Sequence, residues 1–153
     1  MGITRYYVDQ YGSPEFDFDD KHYVKLGVWL TMEIGAKFAV ALDALDSVSE
    51  VLEGSGASGD WEGESVEATF TPTELILIDY DGTEARYPIA EVKTELERYW
   101  RFLLTRSPSP DTTRVLRPDL PEHEAYLLQW EQTWDKRHPY RGRIEGIPAH
   151  GPE

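Results

Sequence analysis

Apolar residues recur at Phe38, Leu42, Leu45, Val48 and Leu52, in steps of three and four residues. That period belongs to an amphipathic helix. It predicts a helix over Thr31–Glu53, with Thr31 as its N-cap and Gly54 as its stop. A second stripe, Ile89, Val92, Leu96, Tyr99, Trp100 and Leu103, predicts a helix over Ile89–Thr105. Pro88 opens it, and Glu91 near its start with Arg101 and Arg106 near its end suits the helix macrodipole. A shorter helix is expected over Glu122–Trp134, with Tyr126, Leu127, Trp130 and Trp134 on its apolar side.

Elsewhere the period shortens to two. Thr4–Gln10 and His22–Trp29 are rich in aromatic and β-branched residues and read as strands on either side of a turn at Tyr11-Gly12-Ser13-Pro14. Glu15–Asp19 alternates Phe16 and Phe18 with acids, which fits a third strand. Ser65–Thr71, Glu74–Tyr80 and Thr83–Tyr87 form a three-stranded antiparallel meander, its second turn marked by Asp81-Gly82. Between the first helix and the meander lies GSGASGDWEG, residues 54–63, read as a flexible connection.

These elements predict an α+β fold: an antiparallel β-sheet of about five to six strands, including the meander, with two main helices packed on one face. Residues 1–106 form one domain. Residues 107–153 are a proline-rich extension with one short helix, packed on the domain or at an oligomer interface, so a homodimer is one expectation.

Composition narrows the chemistry. The chain has 153 residues, no cysteine, five Trp and nine Tyr, enough to bury roughly two-thirds of its unfolded surface in one core. Disulfides, thiolate zinc sites and cysteine nucleophiles are excluded. The first residues carry no basic-then-apolar leader, and no apolar run approaches the roughly 20 residues that span a bilayer, so the cytoplasm is the expected compartment. The four histidines, His22, His123, His138 and His150, lack metal-ligand spacing. Asp79-Tyr80-Asp81-Gly82 resembles the start of a calcium loop, but Ala90 stands where a bidentate glutamate belongs, and a hairpin turn explains it. No metal and no cofactor is expected, and no catalytic residue is assigned.

Charge supplies the functional lead. The formal net charge is -14; residues 1–97 hold 21 acidic and 6 basic side chains, residues 98–153 hold 8 and 9. Such a balance repels nucleic acid and anionic membranes and attracts basic proteins. Asp43, Asp46, Glu50 and Glu53 share one helix face, and no Lys or Arg occurs between residues 38 and 85 to relieve them. Like charges so spaced destabilise a helix by about 0.2–0.5 kcal/mol per pair. The candidate partner-binding residues are therefore these four, with Asp17, Asp19 and Asp20, and Asp60, Glu62, Glu64 and Glu67 around Trp61. Trp61 is either a buried lid on the sheet or an exposed anchor. Reversing Asp43, Asp46 and Glu50 to Lys is expected to weaken partner binding and leave the fold intact. The alternatives are a small enzyme that uses converging carboxylates, and an adaptor whose acidity serves solubility.

The order of segments adds to this. An acidic helix ending in DALDSVSEVLEG, a glycine-rich loop into SGDWEGES, a meander carrying TELILIDYDG and a closing helix, PIAEVKTELERYWRFL, together resemble the small immunity proteins of bacterial polymorphic-toxin and contact-dependent inhibition systems. The likeness covers roughly residues 5–104 and is one of layout and loose motifs. It implies a non-enzymatic protein that binds a cognate toxin domain, many of which are nucleases with a basic groove. It carries no binding residues across.

Overall fold

A computed structural model describes residues 2–56, 58–106 and 117–151. The chain is α+β, and the described residues form six antiparallel strands in two sheets and four α-helices. Strands β1 (Ile3–Val8) and β2 (Pro14–Phe18) form a hairpin that is a sheet of its own. Strands β3 (Gly59–Glu62), β4 (Val66–Phe70), β5 (Glu74–Asp79) and β6 (Glu84–Pro88) form a second sheet in sequence order. The expected single sheet of five to six strands is thus corrected to sheets of two and four. The glycine-rich connection contributes β3, so the meander has four strands.

The other correction concerns His22–Trp29, which is helical. A 3-10 turn at Lys21–Tyr23 leads into α1 (Val24–Val28) and then a π-helical turn at Trp29–Ile34. Asp20 starts this run by accepting a 3.0 Å bond from the His22 amide. Leu26, Trp29, Leu30 and Ile34 are all buried, at helical steps, and burial along that stripe outweighs the local β propensity of the segment. Thr31 lies inside the π turn, its hydroxyl bonded back to the Gly27 carbonyl, and is no N-cap. Gly27 gives the Phe16 ring room to lie across the helix: a Cβ would stand 2.3 Å from the ring, which would have to move.

Helix α2 (Phe38–Glu53) starts after this turn and stops at Gly54; α3 (Ile89–Thr105) and α4 (Glu122–Trp134) follow the predicted bounds. Val66, Ala68, Phe70, Leu75, Leu77 and Tyr87 bury one face of the four-stranded sheet. Helix α2 packs on β4, α3 packs on β5 and β6, and the two helices pack on each other.

The proline-rich stretch at 107–116 lies outside the described residues. Among the described residues from Arg117 to Gly151 no extended tail is seen. Helix α4 packs on α2, and Leu127, Trp130, Tyr140, Ile144 and Ile147 belong to the same core as the sheet and helices. The Trp100 indole donates to the Glu145 carbonyl at 2.7 Å, and Tyr140 donates its hydroxyl proton to Glu97. Among the described residues no helix is long and apolar enough to cross a membrane.

Candidate protein-binding surface

The acidic residues divide into those that hold the fold together and those that do not. On α2, Asp43 accepts a 2.7 Å bond from the Trp130 indole. Asp46 pairs with Lys136 at 2.9 Å and Glu53 pairs with Arg143. Glu50 caps the helix end by accepting the Ser55 amide at 3.1 Å. The cations missing between residues 38 and 85 therefore come from the C-terminal segment, and the acidic helix face is the seat of α4 and the turns after it. Burial pushes the Asp43 carboxyl above the usual range against the help of the Trp130 indole.

The N-terminal cluster is also engaged. Asp17 pairs with Arg5 at 2.6 Å, Asp19 accepts the Gly2 amide at 2.6 Å, and Asp20 caps the 3-10 turn.

Around Trp61 the picture differs. Strand alternation sends Trp61 inward, opposite Ala68, where its ring meets Trp29 at 5.4 Å and Phe70 at 6.1 Å. It remains partly exposed. Asp60 and Glu62 point to the other face, opposite Thr69 and Glu67. Register continues both rows across the sheet: Glu62, Glu67, Ile78 and Glu84 in one, Asp60, Thr69, Ile76 and Arg86 in the next. Asp60 accepts the Thr69 hydroxyl at 3.0 Å, and Arg86 pairs with Glu74 and Glu84. Glu62 and Glu67 have no ion pair among the described residues, although like charges directly opposite cost a few tenths to about 1 kcal/mol. The outer face is thus an acidic border around two half-buried isoleucines, Ile76 and Ile78, with Arg86 as its cation. Glu64 is exposed in the turn between β3 and β4.

Glu33 was not singled out by sequence reasoning. It reaches from the π turn into the β3–β4 connection and accepts the amides of Glu64, Ser65 and Val66 and the Ser65 hydroxyl, at 2.8 to 3.2 Å. Burial alone would raise its carboxyl, but these donors hold it below the usual range. Gly63 permits the approach, since a Cβ there would lie 2.5 Å from the Glu33 carboxylate. The one sequence signal was the glycine itself; the pairing spans 31 to 33 residues and leaves no local pattern.

Among the described residues no group of three His, Asp or Glu side chains converges to hold a metal ion. His138 is buried and structural. It accepts the Tyr140 amide at Nδ1 and donates from Nε2 to the Leu42 carbonyl at 2.9 Å. No protein-family model matches the chain, and neither a curated protein nor a solved structure matches it.

Proposed function

We propose that this chain is an inhibitor that binds a basic protein through the outer face of its four-stranded sheet, and that it serves as the immunity protein of a bacterial toxin domain. The observation that carries this reading is the Glu62–Glu67 pair. Two carboxylates face each other across neighbouring strands with no cation among the described residues, on a face whose centre is the apolar pair Ile76 and Ile78. An apolar centre with a charged border is the anatomy of a specific interface. The charge gives on-rate and selects basic partners, while the isoleucines supply area that excludes water.

The acidic residues of α2 and of the N-terminal hairpin have a smaller part in this reading, because their partners lie within the chain. Asp60, Glu62, Glu64 and Glu67 become the leading contacts, with Glu84 added from the end of the same row. A nuclease toxin fits such a surface, since a groove that binds phosphates is rich in Lys and Arg. The immunity assignment itself rests on the resemblance of segment order. The reading is non-enzymatic, with cytoplasmic action on a partner encoded beside the gene.

The test is co-expression with the product of the adjacent reading frame. Growth rescue together with a stable complex is expected. Failure of both would remove the toxin assignment.

A further inference from the structure

Beside the outer face, where β3 passes over the start of α2, lies a slot of about 200 Å³. Trp29, Val40 and Trp61 make its apolar walls, Glu33 and Asp43 stand around it, and Glu62, on the outer row of the edge strand β3, borders it. Its volume is below the roughly 300–1,000 Å³ of small-molecule sites and suits one long side chain. The two indoles meet edge to face at 5.4 Å, with Trp29 buried as the floor and Trp61 partly open to solvent.

None of the three carboxylates has an ion pair among the described residues; Glu33 accepts four donors from residues 64–66 and Asp43 accepts the Trp130 indole, so Glu62 is the carboxylate with its acceptors uncommitted. They do not converge closely enough to bind a metal ion. What fits is a cation whose charge is spread and whose stem is apolar. Arginine meets both conditions: its methylenes lie along apolar walls and its planar guanidinium stacks on an indole while it pairs with carboxylates. The burial that raises the Asp43 carboxyl would be offset by such a charge.

We propose that this slot receives an arginine side chain of the basic partner, making Trp61 the aromatic anchor of the interface. This rests on the partner-binding reading above and adds to it the chemistry of one contact. It also resolves the two roles open to Trp61: the ring packs against the core on one side and receives the guanidinium on the other.

The experiment is an NMR titration of the indole N–H signals of the full chain with N-acetyl-arginine amide, and separately with its neutral isostere, N-acetyl-citrulline amide. The expected result is a saturable shift of the Trp61 signal with a Kd on the order of 1–10 mM for the arginine probe, and binding about tenfold weaker for citrulline. Glu62→Gln, at an exposed position, should weaken the arginine probe about threefold without touching the fold. In Trp61→Ala, followed at the Trp29 indole signal, the response to the arginine probe should be abolished. Equal response to both probes, no response, or an unchanged Glu62→Gln would overturn the proposal.

The complex separates this idea from its parent. If Glu67→Lys abolishes partner binding while the wild-type chain gives no response to the arginine probe, the slot is excluded and the sheet-face reading stands. If the arginine probe binds as expected but no basic partner is found, the slot stands and the inhibitor reading falls.

Discussion

The Trp130 indole nitrogen lies 2.7 Å from the Asp43 carboxylate, joining helices 87 residues apart in sequence. Trp130 is 5% exposed and also meets His138 edge to face, with ring centroids 4.4 Å apart. Its N–H is therefore committed inside the fold, and Asp43 is the acceptor that makes its burial affordable. Trp130→Phe keeps most of the packing and removes the donor to a half-buried carboxylate. A loss of about 1.5–3 kcal/mol is expected, measurable as a lower urea midpoint with an unchanged slope.

The same contact changes the outcome expected for charge reversal on α2. With Lys at positions 43, 46 and 50, Lys136 would face a like charge and Trp130 would lose its acceptor. Destabilisation by about 2 kcal/mol or more is expected, where the sequence alone suggested an intact fold. Lys136→Gln, by contrast, removes a partly exposed pair and a cation–π contact with the Trp130 ring at 5.4 Å, and should cost about 1 kcal/mol. Thermal melts of the two variants side by side check the contrast.

Acid should loosen the C-terminal segment. Burial lowers the pKa of His138 from the ordinary 6.5 and outweighs the bond to the Leu42 carbonyl and the charges of Asp46 and Glu131, which would raise it; Lys136 acts in the same direction as burial. Because the folded value lies below the unfolded one, the neutral ring stabilises the fold above about pH 6.5. That contribution is lost as pH falls from there through the folded value. Protonation would also set an N–H at Nδ1 against the Tyr140 amide. The melting temperature should fall between pH 7 and pH 5, and fall less in His138→Gln. A pH-independent melting temperature over that range would contradict this.

Glu33→Gln should act locally. The carboxylate accepts four donors from residues 64–66, and an amide presents an N–H where one of them points. A cost of about 1–3 kcal/mol is expected, with faster hydrogen exchange at Ser65 and Val66. Since its pKa is lowered in the fold, its contribution is present above the ordinary value of 4.5 and is lost as pH drops below it.

The parts of the fold that could be read from sequence are those whose signals are local. The Asp81-Gly82 turn, the strands beside it and the bounds of α3 and α4 follow from period and punctuation. The helical run from Lys21 to Ile34 was obscured because Tyr23, Val24, Val28 and Trp29 have β propensity, while the stripe that decides the matter is completed only at Leu30 and Ile34. The acidic face of α2 was legible as a face, but its occupants were not. Lys136 and Arg143 lie 90 residues from Asp46 and Glu53, and nothing in either segment marks the other. The pair Glu62 and Glu67 needed the register of β3, a strand formed from residues that read as loop.

The central claim is that the outer sheet face, and not α2, meets the basic partner. Calorimetry of the Glu62→Lys/Glu67→Lys double variant against the adjacent gene's product tests it most directly. The fold should hold or gain slightly, since a like-charged pair is replaced by one whose Lys side chains are free to separate on an acidic surface. Affinity should fall by at least about 2 kcal/mol, roughly thirtyfold, and the wild-type affinity should weaken with salt. A double variant that folds and binds as tightly as the wild type would contradict the account.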